Sequence, residues 1–217
     1  MFSSNLRIKM NSALLVIDAQ NDICHQAGEF ARSGKGINGI KRAFESGILP
    51  MVEKARGCEM PVIFIQAVYK PGQFEAPFEK LLAINDGEDD STWRIRVYQD
   101  LPRGGDPIFR KSQYEPFHFN GADNGLADWL AGNIVGGFVL VCGFTTDHCI
   151  KAGVDALVER MYIPVVLEDC ISTRDYKIDD GTHTRTIDLF KEHKGIYVVQ
   201  TGGVDLIPGV YRGFMRG

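Results

Sequence analysis

The segment Val139-Leu140-Val141-Cys142-Gly143-Phe144-Thr145-Thr146-Asp147-His148-Cys149 constrains the fold more than any other part of the chain. Phe138 to Cys142 is an unbroken apolar run, short enough to be a strand buried on both faces. Thr146 and Asp147 are helix N-cap types, and after them Ile150, Val154, Leu157, Val158 and Met161 recur at helical spacing. The segment therefore predicts strand, tight turn and helix, with Cys149 in the first turn of the helix. The N–H groups of that turn have no partners within the helix and carry partial positive charge, so a thiol among them loses its proton more easily. Cys149 is then either a nucleophile, with the same N–H groups able to hold an oxyanion, or a buried structural cysteine. Cys142, inside the strand, is structural.

The rest of the chain repeats this alternation. Ala13 to Ile17 is a first buried strand that runs directly into Asp18-Ala19-Gln20-Asn21-Asp22. Further strands are expected at Pro61 to Tyr69, Pro107 to Lys111, Pro164 to Asp169 and Ile196 to Gln200. Helices are expected over Ile48 to Arg56 with Gly57 as the stop, over Leu126 to Leu130, and over Gly181 to His193 with Ile187, Leu189 and Phe190 inward. Strands alternating with helices predict an α/β protein, a three-layer α/β/α arrangement around a six-stranded, mostly parallel sheet. Right-handed crossovers put the C-terminal ends of the strands on one edge, where open α/β sheets build their sites. Asp18 stands at such an end, or caps the turn that follows. Lys111 stands at another, beside Arg110.

Several other features carry less. Gly34-Lys35-Gly36-Ile37-Asn38-Gly39 matches a dinucleotide fingerprint, but no buried strand precedes it, and a flexible surface loop is expected. Cys24 and His25 have no second pair at metal-ligand spacing and read as incidental. Lys70 to Asp106 is irregular, and so long a connection usually covers or shapes a site. Phe74 and Trp93 are its candidates to reach substrate or a neighbouring subunit, with plain packing the alternative.

At 217 residues, the chain is expected to form a single domain spanning 1–217, with enough apolar content (44%) for a sizeable core. A net charge of -4 without a basic run argues against a nucleic-acid surface. No apolar stretch is long enough for a membrane span, and the first residues lack the apolar core of a secretory signal. Five cysteines without metal-ligand spacing suggest reduced thiols and a cytoplasmic setting. No metal and no cofactor are expected.

Three stretches together resemble the isochorismatase-like cysteine hydrolases, the group that holds nicotinamidases and N-carbamoylsarcosine amidases. They are Leu14-Leu15-Val16-Ile17-Asp18-Ala19-Gln20-Asn21-Asp22, Phe109-Arg110-Lys111-Ser112-Gln113-Tyr114-Glu115-Pro116-Phe117 and Gly143-Phe144-Thr145-Thr146-Asp147-His148-Cys149, in the family's order. The resemblance implies a triad of Asp18, Lys111 and Cys149. It also implies a non-proline cis peptide at Phe144–Thr145, and an oxyanion hole made by the N–H groups of Thr145 and Cys149. Gln20, Ile23 and Phe144 are the substrate-binding positions expected on the same ground. The activity implied is hydrolysis of a small amide or ureide, and family members commonly assemble as dimers or tetramers, so a homo-oligomer is expected.

The chain departs from the family in ways that narrow the substrate. Nicotinamidases usually carry an Asp-x-His metal motif after the second strand, where this chain has Gln66-Ala67-Val68-Tyr69-Lys70, without histidine. Ile23 replaces the usual aromatic that stacks on a pyridine ring. True isochorismatases lack the cysteine. His148, next to the nucleophile in sequence, is expected to point to another side of the turn and to be structural. His118 and His183 are expected to pack or cap, and Cys170 needs no role. Isochorismatase-type or nicotinamidase activity, an idle scaffold member, and a redox protein pairing Cys149 with Cys24 or Cys170 are the alternatives. The last has no C-x-x-C motif behind it.

Overall fold

A computed structural model describes residues 6–8, 12–84, 91–134 and 137–206. Six parallel strands form the central sheet: β1 (Ala13–Ile17), β2 (Val62–Ala67), β3 (Ile108–Lys111), β4 (Phe138–Phe144), β5 (Ile163–Ser172) and β6 (Tyr197–Val199). Their order across the sheet is β3-β2-β1-β4-β5-β6, and every neighbouring pair is parallel. The order reverses between β1 and β4, which leaves a crevice at their C-terminal ends.

Side-chain alternation divides the core in two. Leu14, Val16, Val62, Phe64, Leu140 and Cys142 face one side, and Ala13, Leu15, Ile17, Ile63, Val139 and Val141 face the other. On the first face a helical stretch begins at Asn38–Ala43, passes through a π turn at Phe44–Ile48 and ends as α1 (Leu49–Gly57), burying Phe44, Ile48, Met51 and Val52. The second face is covered by α2 (Leu126–Asn133), α3 (Lys151–Glu159) and α4 (Thr182–Glu192). Outside the sheet, Leu6–Ile8 pairs in parallel with Val204–Leu206, and His118–Phe119 forms a short hairpin with Ala122–Asp123. These short pairs carry no periodic signal in the sequence.

Two glycines allow elements to approach. A Cβ on Gly143, whose φ is +118°, would lie 1.9 Å from the Ile17 carbonyl oxygen, so no other residue lets β4 pass β1 at this point. A Cβ on Gly47 would lie 2.4 Å from the Asp169 carbonyl oxygen, and this glycine seats the π turn against β5.

The structure corrects several expectations. The helix predicted from Ile48 begins ten residues earlier, at Asn38, and absorbs part of the glycine-rich stretch. Gly39 is buried against Ser172 and Ile178, and the Asp175 carboxylate accepts hydrogen bonds from the Asn38 and Gly39 N–H groups at 3.0 and 2.9 Å. Met161 is 86% exposed and Leu189 is 55% exposed, although both were expected on inward faces. Met161 lies past the end of α3, and Leu189 lies off the stripe that buries Ile187 and Phe190.

Candidate active site

Each expected triad position is set by a strand end: β1 and β4 flank the switch point, and β3 is the edge strand on the β1 side. Asp18 directly follows β1 with φ at +54°, a left-handed conformation that aspartate adopts more readily than most residues. Its N–H donates to Ile65 O at 3.0 Å and its carbonyl accepts from the Gln20 N–H at 2.8 Å, so the turn is held from both sides. Lys111 is the last residue of β3 and is fully buried. Cys149 lies in a π turn, Thr146–Ile150, that leads into α3. The Thr145 carbonyl accepts from the His148 and Ile150 N–H groups at 3.2 and 3.0 Å, which fixes that turn, and the Phe144–Thr145 peptide is cis.

The structure brings the three side chains together. Lys111 Nζ lies 2.9 Å from Asp18 Oδ2, with both side chains at most 1% exposed. The ammonium also donates to the carbonyls of Gln113 and Tyr114 at 3.1 and 3.0 Å. Among the described residues, neither buried Asp18 carboxylate oxygen has a well-aligned hydrogen-bond partner. The Cys149 thiol rests against both Asp18 and Lys111.

Burial decides the electrostatics. It pushes the Asp18 carboxyl above its ordinary value, opposed by the Lys111 charge. Burial alone would lower Lys111, but the charges of Asp18 and Cys149 outweigh it and hold the ammonium above its ordinary value. The Cys149 thiol is pushed up to about 12, first by burial and then by Asp18, against the opposing effect of Lys111. The start of the helix predicted a more acidic thiol. The enclosed site with a carboxylate beside the sulfur reverses that direction. The thiol is thus made a weaker acid, and the Asp18 carboxyl beside it a stronger base than an ordinary carboxylate.

A cavity of about 150 Å³ opens above the triad. Asp18, Thr145 and Cys149 form its floor, and Ile23, Phe30, Phe74, Phe78, Leu81 and Leu82 form an apolar wall. Tyr114 and His148 stand at its rim, their rings stacked with centroids 5.2 Å apart. Arg174 is the cation of the lining. Its guanidinium lies over Phe30 at 5.2 Å and Phe78 at 5.7 Å, with Asp147 Oδ2 3.5 Å away. Asp147 in turn accepts from the Thr173 hydroxyl at 2.7 Å. Burial raises the Asp147 carboxyl, but that hydrogen bond together with His148 and Arg174 holds it below the usual value.

The expected substrate-binding set is only partly brought to the cavity. Ile23 lines it. Gln20 does not: its amide is fully buried and bonds the Ala67 N–H and carbonyl at 2.8 and 2.9 Å and the Ile95 carbonyl at 2.6 Å. It ties the end of β2 to the residue 91–95 helix. Phe144 is fully buried in the core on the α1 side and does not line the cavity either, because strand alternation turns it away. Phe74 reaches the cavity, whereas Trp93 packs edge-on against His25 at 5.1 Å. His148 was expected to point elsewhere and instead forms part of the rim. His118 bonds Glu115 at 2.7 Å and His183 bonds the Thr146 hydroxyl at 2.9 Å. All five cysteines are free, and Cys170 is buried in the core away from the cavity.

Tyr69, Tyr114 and Arg174 were not picked out in the sequence. A signal existed: each follows the C-terminal end of its strand by two or three residues, the same position that singled out Asp18. Among the described residues no group of three or more His, Cys, Asp or Glu side chains could hold a metal ion. No described helix is long and apolar enough to cross a membrane.

A parallel sheet with its polar cluster at the switch point places the protein among the three-layer α/β proteins that work at strand ends. The family model of the isochorismatase domain matches residues 12–201, and the chain belongs to that family, a family of hydrolases. Solved structures with the same fold include an isochorismatase-like hydrolase from Alkaliphilus metalliredigens, 18% identical with a TM-score of 0.68, covering 88% of this chain and 94% of that one. A nicotinamidase from Bacillus subtilis is 17% identical with a TM-score of 0.67, over 88% of this chain and 100% of that one. An N-carbamoylsarcosine amidase from Thermoplasma acidophilum is 22% identical with a TM-score of 0.60, over 88% and 96%.

Proposed function

We propose that this protein hydrolyses a C–N bond of a small amide or ureide through a thioester on Cys149, with Asp18 as the base and Lys111 as its charge partner. The observation that carries this reading is the buried Asp18–Lys111 pair, 2.9 Å apart and pressed against the thiol. A buried ion pair is a weak device for stability, and one placed against a nucleophile at the floor of a cavity fits a catalytic purpose.

The steps follow from the groups in place. Asp18 takes the Cys149 proton as the sulfur attacks the carbonyl carbon, so no free thiolate need persist in the resting site. The N–H groups of Thr145 and Cys149 receive the oxyanion. Asp18 returns the proton to the departing nitrogen and the C–N bond breaks, releasing ammonia or an amine and leaving the thioester. Asp18 then takes a proton from water as it attacks the thioester and hands that proton to the departing sulfur, which frees the acid and restores the thiol and the carboxylate. Lys111 keeps Asp18 ionised between these steps.

The cavity selects for size. A volume of about 150 Å³ suits a small, compact acyl group, on the scale of a single ring. The apolar wall favours a flat or aliphatic body, and Arg174 offers a cation to a polar end. The same reading treats the chain as one domain that assembles as a dimer or tetramer, which light scattering in solution would test.

The test of the function is ammonia release from a panel of nicotinamide, carbamoylated amino acids, biuret-like ureides, maleamate and simple hydrazides. Wild type and Cys149→Ala are run together. Release by wild type alone supports the reading and names the substrate class. Equal release by a pure, folded Cys149→Ala protein overturns it.

A further inference from the structure

The Lys111 ammonium donates to Gln113 O and Tyr114 O at 3.1 and 3.0 Å, which leaves one hydrogen for Asp18 Oδ2, 2.9 Å away, and the Cys149 sulfur together. The ammonium therefore offers the sulfur its charge and no more than one shared hydrogen bond. A thiolate in a nearly dry site also needs hydrogen bonds, because an uncompensated buried anion is costly. On the proposed mechanism the backbone N–H groups of Thr145 and Cys149 are engaged by the substrate oxygen, so they do not meet that need.

Besides Asp18 and Lys111, one more side chain reaches the sulfur. The Tyr69 hydroxyl lies 4.0 Å from Cys149 Sγ, and Tyr69 is 5% exposed. Its position is fixed from several sides. Its N–H donates to the Leu82 carbonyl at 3.0 Å, and its ring meets Phe74 edge-on with centroids 4.8 Å apart. A distance of 4.0 Å is long for an O–H···S bond, as expected while the sulfur carries its own proton and accepts poorly. Bonds to an ionised acceptor are shorter and about twice as strong, so the contact tightens when the thiol loses its proton.

We propose that Tyr69 is a catalytic residue, the hydrogen-bond donor that stabilises the developing Cys149 thiolate. This rests on Cys149 being the nucleophile. The proton balance is simple: the thiol proton goes to the Asp18 carboxylate, and Tyr69 keeps its own proton throughout and only shares it. Burial, followed by the charges of Cys149 and Asp18, pushes the phenol well above its ordinary value, so it remains a donor across the working range. The position is also informative. Tyr69 stands two residues beyond β2, and of the residues there it is the one that reaches the sulfur.

The experiment needs no knowledge of the substrate. Iodoacetamide alkylation of Cys149 is followed against pH by peptide mass spectrometry, with the partly exposed Cys58 as an internal comparison. Tyr69→Phe keeps the ring and removes the donor. It should slow Cys149 alkylation about tenfold at each pH below the thiol midpoint, as expected for losing a hydrogen bond to a charged acceptor. Replacing Tyr69 by 3-fluorotyrosine makes the phenol a stronger donor and should speed the alkylation over the same pH range. It also serves as the test if Tyr69→Phe does not fold. A purely structural role for the ring would not give rate changes of opposite sign. Profiles that coincide with wild type, while wild-type Cys149 reacts normally, overturn the role of Tyr69 and leave the nucleophile standing. Cys149 that stays unlabelled at every pH, while Cys58 is labelled, overturns both.

Discussion

The floor of the cavity and its wall are built in opposite ways. Asp18 and Cys149 follow β1 and β4, strands whose side chains are almost all buried, and Lys111 is the buried last residue of the edge strand β3. The wall residues Phe74, Phe78, Leu81 and Leu82 come from residues 70–84, a segment with no helix or regular strand. It is held by single polar links. Asp22 Oδ2 accepts from the Leu82 N–H at 2.7 Å, the Gly72 N–H donates to Glu79 O at 3.2 Å, and Arg94 donates to Lys80 O at 3.2 Å. The strand ends thus hold these three polar groups against one another, as the proposed acyl transfer would require. The wall shapes the guest and can vary without disturbing the triad.

The contrast can be tested from its strongest point to its weakest. Cys149→Ala should lower turnover by about 10⁴-fold or more with the circular dichroism spectrum unchanged, since removing a nucleophile removes the pathway. Asp18→Asn should lower kcat by roughly 10²–10⁴-fold through loss of the base. It also strands the Lys111 charge, and urea unfolding should register a loss of about 3–5 kcal/mol. A variant as stable as wild type would show that the floor does not depend on the pair. Gly143→Ala puts a methyl on the Ile17 carbonyl in a left-handed conformation, and should cost on the order of 3 kcal/mol, read as a fall in thermal midpoint. Phe78→Leu, in the wall, should alter KM several-fold and differently across the amide panel while kcat stays within about twofold. A parallel loss of kcat would mean that wall and floor are coupled.

The smallest effect concerns the clamp between the two regions. Burial raises Asp22 to about 6 from 3.8, even though the Leu82 N–H and Arg94 oppose it. A carboxyl raised in the folded state favours folding fully below its unfolded value, and that contribution is lost as pH rises through about 6. Unfolding free energy should therefore fall with rising pH between roughly 4 and 6, by up to about 1.4 kcal/mol per unit from this group. Asp22→Asn should flatten that part of the curve. An unchanged slope would remove Asp22 as its source.

Much of the sheet was legible because its signal is local. Five buried apolar residues ahead of Asp18, and a similar run ahead of the Gly143 turn, can only be central strands of a parallel sheet, and the structure has them at β1 and β4. Once the strands are parallel, chain order alone puts Asp18, Lys111 and Cys149 on one edge. The helix surfaces were less legible. Met161 and Leu189 match an apolar pattern by type, but where α3 stops and how α4 rolls on the sheet decided their exposure. Gln20 and Phe144 border the motifs without reaching the cavity, because a turn and strand alternation direct them into the core.

The sequence by itself determined the α/β architecture, the strand ends and the three polar residues carried there, because periodicity and chirality act over short stretches of chain. The tertiary structure decided the state of the thiol, which local helix geometry would have made acidic and burial beside a carboxylate makes weak. It also decided which distant residues, Tyr69, Phe78 and Arg174 among them, meet over Cys149. Desolvation and convergence depend on groups that are far apart in sequence, so they come into being only when the layers close.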